Sequence, residues 1–269
     1  MEHVTVRDVE IPAPGFGTAR LTGDDCRDAV ADALELGYRH IDTAQMYDNE
    51  AAVGDAIVSA NVDREDAFLV TKIHRRNLAH GDVLESVAGS LNRLGTTIDL
   101  LLIHAPSRTV PIEESIEAMN ELQDEGSVRH IGVSNFSVGQ MEEAIAASET
   151  PILTNQVEYH PFEDRGDLLA FCIENEIMLT AYSPLARGRV AGNDVLEEIG
   201  ARYGKTGAQV ALRWLLQQEM VAPIPKAASH EHRATNLDIL DFELTDREME
   251  RVFELQGGLL ARLRGRLGL

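Results

Sequence analysis

Short apolar runs alternate with amphipathic stretches along most of the 269 residues. Runs at 68–72, 98–104, 130–134, 152–156, 177–183 and 221–226 read as strands, with weaker candidates at 16–18 and 39–42. Their near-continuous apolar character suits parallel strands buried on both faces. Between them lie helical patterns. Val83, Leu84, Val87, Ala88, Leu91 and Leu94 fall on one stripe of helical spacing. A second helix over 206–217 opens on Thr206 as a cap and turns Val210, Ala211, Trp214 and Leu215 inward. Strict alternation of strand and helix implies an α/β sheet, closed or open.

Polar residues choose between the two. Asp42, Lys72, His104, Ser134, Asn135, Gln156, Tyr182 and Lys226 each stand at the carboxyl end of a candidate strand or just past it. An open sheet gathers its site at one switch point, fed by a few strands. Convergence from so many strands requires closure, and barrel sites lie at that carboxyl face. The expected fold is a (β/α)8 (TIM) barrel in one domain over 1–269, with a tail from about 256.

Composition adds constraints. No apolar run approaches a membrane span, and the opening residues lack the apolar core of a signal peptide. Cys26 and Cys172 are too few for a disulfide framework or a thiolate metal site. A cytoplasmic protein, taken as a monomer, is the expectation. Acidic residues number 45 against 24 Lys and Arg, a net charge of −21. Lysine occurs only at Lys72, Lys205 and Lys226. Such a chain repels itself, and concentrated salt relieves the repulsion, so a protein from a salt-accumulating cell is expected. No basic stripe exists to meet nucleic acid.

Several segments carry a more specific signal. Leu36-Gly37-Tyr38-Arg39-His40-Ile41-Asp42-Thr43-Ala44 is followed by Tyr47-Asp48-Asn49-Glu50. Then come Ile98-Asp99-Leu100-Leu101-Leu102-Ile103-His104, Gly132-Val133-Ser134-Asn135-Phe136, Asn155-Gln156-Val157-Glu158-Tyr159-His160-Pro161, Ala181-Tyr182-Ser183-Pro184-Leu185 and Ile224-Pro225-Lys226. In this order they resemble the aldo-keto reductases, from about Gly15 to Thr245. The resemblance implies reduction of a small carbonyl compound, with hydride from NADPH or, as an alternative, NADH. It also implies a catalytic set of Asp42, Tyr47, Lys72 and His104.

The chemistry is coherent with those residue types. No side chain supplies hydride, so a cofactor must. The forming alkoxide needs a proton, and a free phenol with a pKa of ~10 is a poor donor near neutrality. A neighbouring cation lowers that value. Lys72 is expected to do so for Tyr47, with Asp42 holding the ammonium and His104 binding the substrate oxygen. Taken singly, each has a plainer explanation: a rim ion pair, a core histidine, a loop tyrosine.

On the cofactor side the resemblance places Ser134, Asn135 and Gln156 on the nicotinamide carboxamide, Tyr182 against its ring and Lys226 on the 2′-phosphate. It adds Thr18, Asp42, Ser183, Leu185, Ser229, His232 and Asn236. Departures matter here. His232 stands where the family commonly has an arginine, and Ala227 where serine is common. Ala19, His74 and Ala105 replace frequent aromatics, which predicts a wide substrate pocket also bounded by His104. His230-Glu231-His232 is not expected to hold a metal, since alternate helical positions point apart. A binding protein without catalysis, or an aldolase using Lys72 as Schiff-base nucleophile, are the competing readings.

Overall fold

The computed structural model describes residues 1–257. Eight parallel strands form one sheet: β3 (Phe16–Gly17), β4 (His40–Asp42), β5 (Phe68–Ile73), β6 (Ile98–Ile103), β7 (Val128–Ser134), β8 (Ile152–Glu158), β9 (Met178–Tyr182) and β10 (Val221–Pro223). They lie side by side in chain order. Gly15 N–H donates to Pro223 O at 3.0 Å and Gly17 N–H to Pro225 O at 3.1 Å, so the first strand meets the last. The sheet is a closed (β/α)8 barrel.

All eight expected strands are present, with shifted ends. The last was expected to reach Lys226 but is assigned only to Pro223. Ile224 N–H still bonds Ala181 O at 3.0 Å, and Pro225 then has no N–H to continue the ladder.

An antiparallel hairpin, β1 (Glu2–Val6) and β2 (Val9–Ala13), precedes the barrel and was not expected. Val6, Ile11 and Ala13 are buried in one cluster with the barrel residues Val70, Leu100 and Leu102. Pro12 O meets His40 Nδ1, at the start of β4, at 3.1 Å. The hairpin therefore closes the amino end of the barrel, opposite the face where the polar residues collect.

The helices are α1 (Gly23–Leu36), α2 (Glu50–Ser59), α3 (His80–Leu94), α4 (Ile112–Asp124), α5 (Val138–Ala147), α6 (Gly166–Glu174), α7 (Asp194–Tyr203), α8 (Gly207–Leu216), α9 (His230–Leu237) and α10 (Asp246–Phe253). Alternation is not strict, because α7 and α8 both lie between β9 and β10. Thr206 caps α8 in a reciprocal box with Gln209, and Val210, Ala211, Trp214 and Leu215 are all buried. On α3, Val83, Val87 and Leu94 are buried as expected, but Ala88 is exposed and Ser90 takes the inward place. Ser90 is drawn in by a polar partner, the buried Glu50 carboxylate at 3.3 Å. No described helix is long and apolar enough to cross a membrane. The tail expected from about 256 lies, beyond Gly257, outside the described residues.

Candidate active site

The carboxyl ends of β4 and β5 bring Asp42 and Lys72 together. Lys72 Nζ lies 2.6 Å from Asp42 Oδ1 and donates to Thr43 O at 2.8 Å. Both side chains are almost fully buried. Burial alone would push the ammonium towards neutrality; Asp42 and Tyr47 outweigh it and hold Lys72 above the ordinary lysine range. Gln156, on β8, donates from Nε2 to Asp42 Oδ2 at 2.7 Å. Each carboxylate oxygen of Asp42 thus has its own donor.

Tyr47 sits on a short turn, Gln45–Tyr47, immediately before α2. Lys72 Nζ is 5.2 Å from the centre of its ring, and His104 meets the ring edge-on with centroids 5.7 Å apart. His104 lies one residue past β6. Burial, helped by the Lys72 charge, pushes its imidazole down to about 4, so it is neutral above that pH. One sequence expectation is corrected at Tyr47. Its pKa is raised, because burial of the phenol outweighs the downward pull of Lys72.

The turn holding Tyr47 is pinned by residues of its own motif. Asn49 Nδ2 donates to Thr18 O at 3.0 Å and Leu21 O at 2.9 Å, while its Oδ1 accepts from Thr43 at 2.6 Å. Glu50, buried at the start of α2, accepts from Thr71 at 2.6 Å and from Arg93 at 2.7 Å. Gln45 Oε1 accepts from His74 N–H at 2.8 Å. Gln45, Thr43, Asn49 and Glu50 carried no expected task, although all but Gln45 stand in the quoted motif.

The expected nicotinamide residues form one hydrogen-bonded chain beside the tetrad. Tyr182 O–H donates to Asn135 Oδ1 at 3.0 Å, Asn135 Nδ2 donates to His104 O at 3.0 Å, and Ser134 O–H donates to Gln156 O at 2.7 Å. Asn135 adopts φ +63°, a region that asparagine tolerates better than most residues. Thr18 joins β3 to β4 through both N–H and O–H to Asp42 O, each at 3.0 Å. Ser183 and Leu185 are half-buried on the segment after β9.

The expected phosphate residues gather at β10 and α9. Lys226 is exposed and has no acidic partner among the described residues, whereas Lys72 and Lys205 are both in ion pairs. Such a cation, in a chain this acidic, suits a phosphate. Ser229 caps α9 by accepting from His232 N–H at 3.3 Å, and Asn236 is buried in the same helix. The His232 side chain is exposed, and His230 turns instead to Asp32, 2.7 Å away. Arg233, next to His232, is buried and donates to Ala228 O at 2.8 Å and Ala227 O at 3.3 Å, bracing the segment that carries Lys226. Ala19, His74 and Ala105 are half-buried on three segments at the same face.

Known proteins are similar to this chain in sequence and in fold. Methylglyoxal reductase DkgB of Escherichia coli O157:H7 is 40% identical over 249 residues, 91% of this chain and 93% of that protein. A crystal structure of a putative 2,5-diketo-D-gluconic acid reductase B superposes with a TM-score of 0.93 at 47% identity, covering 95% of this chain and 91% of that one. A Bombyx mori aldo-keto reductase solved in complex with NADP superposes at 0.88 with 31% identity, covering 95% of this chain and 93% of the other. Residues 14–256 match the model of the aldo/keto reductase family, and this chain belongs to that family.

Proposed function

We propose that this protein reduces an aldehyde or ketone to an alcohol, with NADPH as hydride donor and Tyr47 as proton donor. The observation that carries the reading is the buried Lys72–Asp42 pair at 2.6 Å, set beside the Tyr47 ring and His104. NADPH, when bound, supplies two electrons as hydride to the carbonyl carbon. Lys226 would take its 2′-phosphate, and Ser134, Asn135, Gln156 and Tyr182 its nicotinamide.

The protein's own groups handle the oxygen. His104, neutral above pH about 4, offers an imidazole N–H to the carbonyl oxygen and so favours the developing negative charge. Tyr47, with its pKa raised, holds its proton at neutral pH. The forming alkoxide is a far stronger base than a phenolate, so the proton passes from Tyr47 to that oxygen. The Lys72 ammonium then faces the phenolate left behind and limits its cost. Bulk solvent restores the proton. A charged Lys72 also counts against an aldolase reading, since a protonated amine cannot attack a carbonyl.

Mixing the protein with an activated aldehyde and NADPH, and following cofactor absorbance, tests the reading directly; absence of oxidation across aldehydes, ketones and dicarbonyls would sink it. Lys226→Met should weaken NADPH binding about tenfold or more while leaving NADH nearly unchanged, as one lost charge-assisted phosphate contact requires. Equal weakening of both would remove Lys226 from the phosphate. The names of the relatives leave the substrate open, since methylglyoxal is a neutral dicarbonyl and 2,5-diketo-D-gluconic acid a carboxylic acid.

A further inference from the structure

The charge at the barrel mouth runs against that of the chain. The eight segments that follow the barrel strands carry seven arginines and Lys226 against Asp48, Glu163 and Asp164. The whole sequence has 45 acidic residues to 24 basic ones. Random placement would make this face acidic like the rest.

Some of these arginines are occupied. Arg165 pairs with Glu163 at 2.9 Å, Arg187 with Glu158 at 3.6 Å, and Arg189 lies 5.0 Å from the centre of the Phe162 ring. Arg75, Arg76 and Arg108 are exposed and have no acidic partner among the described residues. Arg75 and Arg76 follow His74, and Arg108 lies three residues past Ala105. They leave β5 and β6, which flank the site on the side of Lys72 and His104. Their field reaches the pocket: after burial, the charges of Arg76 and Arg75 lower the His74 imidazole below its usual range.

The cofactor does not account for them. Its expected phosphate site is at Lys226, after β10, and in a closed barrel of eight strands β6 lies across from β10. Arg20, after β3, is next to β10 and is left to that site.

We propose that the carbonyl substrate is itself an anion, carrying a carboxylate or phosphate remote from the carbonyl that Arg75, Arg76 and Arg108 receive. This rests on the reductase reading. A molecule with a net charge of −21 repels an anion. Three guanidinium groups at the rim reverse the sign where entry occurs, and each can pair a carboxylate or phosphate with two parallel bonds.

The test compares matched substrates in KCl concentrations at which every variant melts above the assay temperature. 4-Formylbenzoate is set against its methyl ester, and glyceraldehyde 3-phosphate against glyceraldehyde. At least one anionic member should show a kcat/KM about tenfold or more above its neutral partner, carried by KM, as one charge-assisted contact would supply. The pair that shows it tells carboxylate from phosphate. Arg75→Gln, Arg76→Gln and Arg108→Gln together should bring that ratio close to one, and rising KCl should lower it in the unaltered protein. Should the triple variant not fold, the single substitutions and the salt series read the same ratio.

Ratios near one in the unaltered protein overturn the proposal, as does a ratio that survives the substitutions. A variant that weakens NADPH binding while keeping the ratio would assign these arginines to the cofactor and also overturns it. Turnover of the neutral members keeps the reductase reading intact in each of those cases. No turnover of any substrate sinks that reading, and this inference with it.

Discussion

Tyr47 and Lys72 are proposed to act on the same proton, and their substitutions should show it. Tyr47→Phe keeps the ring that packs against His104 and removes only the hydroxyl. Since general acid catalysis contributes roughly 10²–10⁴-fold, kcat should fall by about that factor while NADPH affinity barely changes. Lys72→Met should cost a comparable factor. It also leaves the Asp42 carboxylate buried with only Gln156 as partner, so its melting temperature must be recorded beside its rate. The double variant should be hardly slower than either single one, because both changes remove one step. Near-normal turnover in Tyr47→Phe, with cofactor binding intact, would end the proposed mechanism. At this scale the sequence showed the residue types, but the direction of the Tyr47 pKa depended on burial. A phenol beside a lysine looks depressed on paper; a phenol buried beside a buried, carboxylate-paired lysine is not.

At the scale of elements, the site depends on how closely α2 is held against α3. Gly54 of α2 faces the last residue of α3, and a Cβ there would lie 2.3 Å from Leu94 O and 2.7 Å from its Cα. These are backbone atoms, so no rotamer change can make room. Gly54→Ala should therefore destabilise by about 1–3 kcal/mol, the usual cost of overpacking, despite the better helix propensity of alanine. Gly81→Ala, near the start of α3, would meet nothing within 4 Å. It should leave the melting temperature unchanged or raise it slightly. Equal effects of the two substitutions would mean that the close approach of the helices yields readily. Because α2 begins at Glu50 and follows the Tyr47 turn directly, loss in Gly54→Ala should also blunt activity below the melting transition.

For the whole molecule, net charge is the controlling quantity. The chain carries a net charge of −21, while several close ion pairs have a buried acidic partner, among them Lys72–Asp42, Arg64–Asp99 and Arg93–Glu50. Salt screens long-range repulsion between exposed acids far more than it screens those close pairs. The melting temperature should therefore rise with KCl from low to molar concentration. A flat profile from thermal melts would mean that repulsion is a minor part of the balance, and the expectation of a salt-accumulating source would lose its support.

Much of this protein is set by local pattern, and the sequence alone determined that part. Apolar runs buried on both faces specify parallel strands, Thr206 marks a helix start, and polar residues at successive strand ends mark the candidate site face. The ordered motifs determined the family, and the quartet proposed as catalytic follows from that resemblance. Tertiary structure decided whatever depends on residues distant in the chain. Closure rests on Gly15 and Gly17 meeting Pro223 and Pro225, bonds that no window of the sequence contains. The hairpin at residues 2–13 has polar, exposed positions in both strands; its few inward residues become a core only against Leu100 and Leu102. Arg233 stands on a polar helix, yet folds inward to two backbone carbonyls and the Asp32 carboxylate. The same reason explains the mouth: arginines scattered over residues 20–189 become one cationic rim only because a closed barrel gathers every strand's carboxyl end into a single ring.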